Sequence, residues 1–407
     1  FATLQAQQGE YFLKTMDAIG TTEYHHIRSL VKLIDGAQQP QEVDQVMADP
    51  AIVLLTTTVT EGGYYLNEAG ELLVDDPAIA ADLRQNGRNT LYAFLQQGLR
   101  RRMECQSGPI TLLCCDNLRH NGKLLESGFK QFLKAAGDEV LLSWVVQNSA
   151  FPCSMVDRIT PKPDNQHSQD VQHRFGIEDT MCVMAEDYLQ WVIEDKFAAA
   201  KPALDQVGVQ YVKDVAPFEE AKIRLLNAGH TIISYQAALA GLHTYDEAMR
   251  EPVFKRFLED FAQYEAIPAI GDSVVDLADY FEVIVKRFSN EFIGDTIERI
   301  CTDGYAKFPI FVLPTLEGCY QKAIEPKLTI AAIASWFLFI QKIRDQSLTM
   351  TYHEPNWNKL EHFTNDANGI QAFATDTALW GEVPLHFPQF VRALSECIQQ
   401  QQRISSG

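Results

Sequence analysis

Two continuous apolar, β-branched runs, Ala51-Ile-Val-Leu-Leu-Thr-Thr57 and Ile110-Thr-Leu-Leu-Cys-Cys115, are each followed by helical spacing, and that succession leaves few folds open. A strand that is apolar on both faces belongs in a parallel sheet covered on both sides. The spacing predicts a crossover helix over residues 82–102, where Leu83, Leu91, Phe94, Leu95 and Leu99 recur, and a second helix over 122–136. Two strand–helix units in succession argue for an α/β, doubly wound sheet. Ligands bind such sheets beyond the carboxyl ends of the strands, here Thr60 to Tyr64 and Asn117. A turn after a strand is an equally natural use of Asn117. Asn121 and Gly122 read as turn residues, and residues 162–172, broken by Pro163, read as an exposed loop. Residues 180–195 carry an apolar strand.

From Pro217 the texture changes to long helical patterns over 221–240, 247–262, 277–288, 295–301, 330–344 and 387–402. We therefore expect two domains, 1–216 and a mainly helical 217–407. The first of these helices is opened by Pro217 and the acids Glu219 and Glu220, which suit a first turn and the helix dipole. At about 100° per residue, Lys222, Asn227 and His230 fall within an arc of roughly 140°, together with Ile223 and Leu226. One face then presents an amine, an amide and an imidazole among apolar side chains. Hydride abstraction from an alcohol needs a base, a donor to the developing alkoxide and further hydrogen bonds that choose the reacting carbon. Lys serves as base where desolvation lowers its pKa, Asn as donor, and His as a hydroxyl partner. The same three residues also describe the polar edge of a packed helix. Lys222 and His230 would lie roughly 12 Å apart along an ideal axis, so the amine must reach back over the site.

The formal charge of −20 over 407 residues argues against nucleic acid or an anionic membrane as partner. The apolar run 328–340 is too short to span a bilayer and reads as a buried helix. The eight Cys (105, 114, 115, 153, 182, 301, 319 and 397) show no CxxC spacing, which suits reduced thiols in a cytoplasmic protein. No HExxH or dense His/Cys cluster offers zinc ligands, so no metal is expected.

Lys222 to His230 resembles the K-x4-N-x2-H signature of the polyol-specific long-chain dehydrogenases, the mannitol dehydrogenase family. Further blocks agree in order: Thr60-Glu-Gly-Gly-Tyr64, Cys115-Asp-Asn117-Leu-Arg-His-Asn121-Gly122, Met155-Val-Asp157-Arg158-Ile-Thr-Pro161, Gln190-Trp-Val-Ile-Glu-Asp195 and Arg287-Phe-Ser-Asn290. The resemblance runs through nearly the whole chain and within the family is strongest to D-arabinitol 4-dehydrogenases. It implies a Rossmann-type first domain and a helical second domain.

The resemblance also implies roles: Lys222 as general base; Asn117 and Asn227 on the reacting oxygen; Asp157, His230, Arg299 and Lys307 on the remaining hydroxyls; and Thr60, Glu61 and Asn117 toward NAD, with NADP still open. Asp157 could instead pair with the adjacent Arg158, and Arg299 and Lys307 could be charges complementing a helix end. Against the family pattern, no GxGxxG occurs, and the first strand, its Gly-rich turn and the acidic ribose partner are missing from the chain as numbered from Phe1. The expected reaction is metal-free oxidation of an open-chain polyol to a ketose, D-arabinitol to D-xylulose in preference. Mannitol 2-dehydrogenase, a hexuronate reductase of the same family, and a non-catalytic binding protein on a degraded scaffold are the alternatives. Oligomeric state is left open.

Overall fold

The computed structural model describes residues 1–67, 69–84, 87–161, 165–366 and 368–406, with the side chains of Glu61, Asn165, Ser405 and Ser406 left aside. The chain divides into two compact units, Phe1–Thr15 with Glu23–Phe218, and Met16–Thr22 with Glu219–Gly407.

The strands are β1 (Tyr11–Met16), β2 (Thr22–Ile27), β3 (Leu54–Thr57), β4 (Ile110–Cys114), β5 (Ser149–Ala150), β6 (Ser154–Asp157), β7 (Val183–Glu186), β8 (Gln190–Glu194) and β9 (Gln210–Val212). They form three three-stranded sheets, ordered β2-β1-β7, β3-β4-β5 and β6-β8-β9. The expected parallel pair is present: Leu54 lies beside Thr111 and Thr57 beside Cys114, and β5 joins β4 in the same sense. All five residues of β4 are buried, as its unbroken apolar run requires. Helix Asn121–Ala135 follows β4 and buries Leu125, Phe129, Phe132 and Leu133.

Several expectations change. The helix read over 82–102 is two helices, Pro77–Leu83 and Leu91–Glu104. The buried Asp82 carboxylate accepts the N–H groups of Asn89 and Thr90 and the Thr90 hydroxyl, turning the chain where periodicity ran on. Lys162 to Asp164 lie outside the described residues, but the rest of the supposed loop is helix Asn165–Phe175. Among its described side chains that helix buries only His167 and Val171, one turn apart, so its polar remainder hid it. Residues 180–195 hold two strands rather than one. Residues 247–262 break at Glu251, where Pro252 opens a new helix. The β2-β1-β7 sheet was unread, because Thr22–Ile27 is polar and largely exposed.

The second unit is helical. Leu277–Phe288 has the expected bounds, and Asp276 caps it by accepting from the N–H groups of Ala278 and Asp279. The 328–340 run lies in helix Lys327–Arg344, where Trp336 stacks on Phe308 at 4.1 Å. No helix among the described residues is long and apolar enough to cross a membrane. None of the eight cysteines is joined in a disulfide.

The start of Lys327–Arg344 is held by a distant carboxylate. Glu265 is 2% exposed and accepts from Leu328 N (2.6 Å), Thr329 N (2.8 Å) and the Thr329 hydroxyl (2.6 Å). Burial pushes this carboxyl above the usual glutamate range, against the pull of its hydrogen bonds. Glu265→Ala strands two buried N–H groups, so urea unfolding should show a loss of about 1–3 kcal/mol. The raised carboxyl holds its proton more tightly folded than unfolded, so its pH-linked stability is full below the ordinary range and falls as pH rises through the folded value.

Candidate active site

In the first unit, the turns after β3 and β4 are tied together by one side chain. Asp116 is 6% exposed; its Oδ2 accepts Val59 N–H at 3.0 Å and its Oδ1 accepts Thr60 N–H at 2.9 Å. The Tyr64 hydroxyl donates to Oδ2 at 2.5 Å and lies 2.8 Å from Cys114 Sγ. Burial and these neighbours push the Tyr64 phenol well above its ordinary pKa. Thr60 has φ 60° and ψ 171°, a region almost confined to glycine that costs about 1–3 kcal/mol elsewhere. Asn117, the residue after Asp116, is exposed at a bend. An added Cβ at Gly62 would meet nothing within 4 Å, so the backbone there is open to a close ligand. An exposed amide, a hydroxyl and open glycine backbone beyond parallel strands suit a dinucleotide. Glu61 lies in this turn, its side chain outside the described residues.

Asp157 ends β6, is 5% exposed and sits beside Gln190. The neighbouring Arg158 donates from Nε and Nη2 to the Glu186 carbonyl, both at 3.0 Å. Asn121 is a buried hub, not a turn residue. Its Nδ2 donates to the carbonyls of Cys114, Asp116 and Ser154, and its Oδ1 accepts Ser154 N–H. Gly122 is needed for space, since a Cβ there would lie 2.4 Å from the Pro152 carbonyl oxygen.

In the second unit, the helix carrying the polar trio departs from α geometry. Ala216–Ala221 is α, Lys222–Asn227 is π, and Ala228–Leu239 is α again. The Ala228 N–H reaches back five residues to the Ile223 carbonyl. In an α-helix residues five apart diverge by about 140°. The wider i→i+5 turn lessens that divergence, bringing Asn227 round toward the side of Lys222. Lys222 is 7% exposed, while Asn227 and His230 are half-buried. The Thr231 hydroxyl donates to the Asn227 carbonyl at 2.9 Å, which helps to satisfy the helix where the ladder shifts.

His230 is oriented by rings that spacing had not singled out. It stacks on Phe288 at 4.1 Å and meets the edge of Tyr245 at 4.7 Å. The Tyr245 hydroxyl donates to Gly229 O at 2.8 Å. Gly229 lets Phe288 come close, since a Cβ there would lie 3.2 Å from that ring.

Arg299 and Lys307 flank Cys301, whose carbonyl accepts the Tyr235 hydroxyl of the same helix as His230. Arg299 makes a two-pronged ion pair with Asp295, both contacts at 2.6 Å. Lys307 Nζ donates to Ile300 O at 2.8 Å. Burial, and then the Arg299 charge, lower the Lys307 pKa. Among the described residues no group of three or more His, Cys, Asp or Glu side chains is placed to hold a metal ion.

Residues 2–206 match the mannitol dehydrogenase Rossmann domain and 214–401 the mannitol dehydrogenase C-terminal domain. The chain is 38% identical to a D-arabinitol 4-dehydrogenase of Ralstonia nicotianae over 94% of its own length and 82% of the relative's. It is 36% identical to the D-arabinitol 4-dehydrogenase of Klebsiella pneumoniae, over 93% and 84%. Among solved structures it resembles the Pseudomonas fluorescens mannitol 2-dehydrogenase ternary complex with NAD and D-mannitol, with a TM-score of 0.85 at 30% identity, covering 98% of this chain and 82% of that one. With both domains matched in order and these identities sustained over nine-tenths of its length, the chain belongs to the mannitol dehydrogenase family of polyol oxidoreductases.

Proposed function

We propose that the protein oxidises a secondary alcohol of an open-chain polyol to a ketose with NAD, D-arabinitol to D-xylulose being the preferred pair. The observation that carries this reading is the π turn from Lys222 to Asn227, which narrows the angle between these two positions and leaves His230 one α turn further on. The similarity to D-arabinitol 4-dehydrogenases supports the choice of polyol, and the NAD named with the mannitol 2-dehydrogenase complex supports the cofactor. Thr60, Glu61 and Asn117 would hold NAD, which when bound supplies the hydride acceptor.

The remaining chemistry belongs to the chain. Lys222 takes the hydroxyl proton on its Nζ; its burial removes competing water from the amine. Asn117 and Asn227 donate to the oxygen as negative charge builds on it. Asp157, His230, Arg299 and Lys307 grip the other hydroxyls, with an ionised Asp accepting two hydrogen bonds from neighbouring hydroxyl groups. The two-pronged pair with Asp295 neutralises Arg299, which favours a neutral polyol over a hexuronate needing a charged clamp.

A panel of arabinitol, mannitol, sorbitol and two hexuronates, each with NAD and NADP, tests the assignment. Highest kcat/KM with D-arabinitol and NAD is expected, and a hexuronate preference would overturn it. Exhaustive chelation should leave the rate unchanged, whereas loss restored by added zinc would reveal a metal in the mechanism.

A further inference from the structure

We infer that Asp116 is a positioning residue for dinucleotide binding, a clamp that presets the turn after β3 and carries Asn117 in register with it. The inference rests on the proposed NAD site at Thr60 and Asn117.

A buried carboxylate reads at first as a structural filler, but its donors are unusual in kind. Two consecutive backbone N–H groups, Val59 and Thr60, each take one of its oxygens, 57 and 56 residues away in sequence. Such a paired grip fixes the peptide planes on both sides of the Val59 Cα, and Thr60, whose carbonyl accepts Gly63 N–H at 3.1 Å, joins them to the next plane through its φ. That angle is +60°, which a threonine avoids unless its surroundings over-determine it. Tyr65, at the far end of the same turn, is also left-handed at φ 49°.

The turn between them is pinned from beneath. Tyr64 is 2% exposed, gives its hydroxyl to Asp116, and has its carbonyl held by the Tyr92 hydroxyl at 2.7 Å. Cys115 N–H meets Thr57 O at 2.9 Å, so the two strand ends are joined by backbone as well. Gly62, by contrast, is open on its outer side. These restraints act from the buried side, while Gly62 and Asn117 are exposed. A glycine at position 60 would adopt the same conformation without strain, so the fold alone does not call for a clamped threonine there. Strain of this kind collects at ligand clamps, where a preset loop spares binding the cost of ordering it.

The test is titration of the full chain with NADH, followed by fluorescence and calorimetry alongside melting. Asp116→Asn keeps shape but turns one acceptor into a donor facing the N–H groups, and should raise the NADH Kd at least about tenfold, the loss of roughly one charge-assisted hydrogen bond. KM for the polyol at saturating NAD should stay within a few-fold of the parent. In a Thr60→Gly background, Asp116→Asn should cost less NADH affinity than it does in the parent, because glycine reaches the conformation unclamped. Tyr64→Phe removes one donor, keeps the ring, and should weaken NADH binding several-fold even if Asp116→Asn does not fold. Lower melting with parent-like NADH affinity in the folded variants would overturn the clamp and leave the proposed function standing. A parent that fails to bind NADH would overturn both.

Discussion

Lys222→Ala should slow turnover by at least about two orders of magnitude, since loss of a general base costs roughly 10²- to 10⁴-fold. The fold should survive. The π segment is held on its buried side by Ile223, Leu225 and Leu226, and by Arg224, which donates to Thr315 and pairs with Glu220. A second readout separates base from filler: the parent should lose kcat/KM as pH falls and the amine is held protonated, and the variant should lose that limb of the profile. Activity within a few-fold of the parent would remove Lys222 from the mechanism.

What could be read ahead of the structure was whatever local chemistry encodes. Leu277–Phe288 was legible to the residue because an Asp cap, an apolar stripe and a basic last turn all agree. The parallel pair of β3 and β4 was legible because β-branched runs apolar on both faces have few alternatives. The break at Asp82 was not, since a carboxylate folding back on Asn89 and Thr90 leaves no periodic signature.

The site divides in the same way. Lys222, Asn227 and His230 were visible as one helical face, but an α count left the amine and amide about 140° apart and the amine reaching back. The π turn narrows that angle, and no residue type signals it. Asp116 was visible only as a member of the Cys115-Asp-Asn117 block, and its grip on the turn was not, because its partners are more than fifty residues away. The rings around His230 were masked by looking like ordinary core. The roles of Asp157, Arg299 and Lys307 came from family resemblance, and contacts such as the Arg299–Asp295 pair are equally those of a structural ion pair.

Asn227 is where a structural and a chemical role differ most in outcome. If it only closes the π turn, its work is done by its backbone carbonyl, which accepts from Thr231. Asn227→Ala keeps that carbonyl and improves helix propensity, so on a structural role it should be neutral or slightly stabilising and parent-like in rate. If the amide donates to the developing alkoxide, the same change should cost about 2.7–4 kcal/mol of transition-state stabilisation, or at least about a hundredfold in kcat. The loss should fall on kcat rather than KM, because that charge is complete only in the transition state. Asn227→Asp guards against a collapse of the wide turn to α geometry, since it preserves the shape while replacing the N–H donor with a carboxylate oxygen that repels the alkoxide. We expect both variants to melt no lower than the parent by more than a few degrees and both to be slow. Parent-like kcat with a raised KM would assign Asn227 to ground-state binding. A slow Ala variant beside a fast Asp variant would mean that the turn, and not the amide proton, is what the reaction needs.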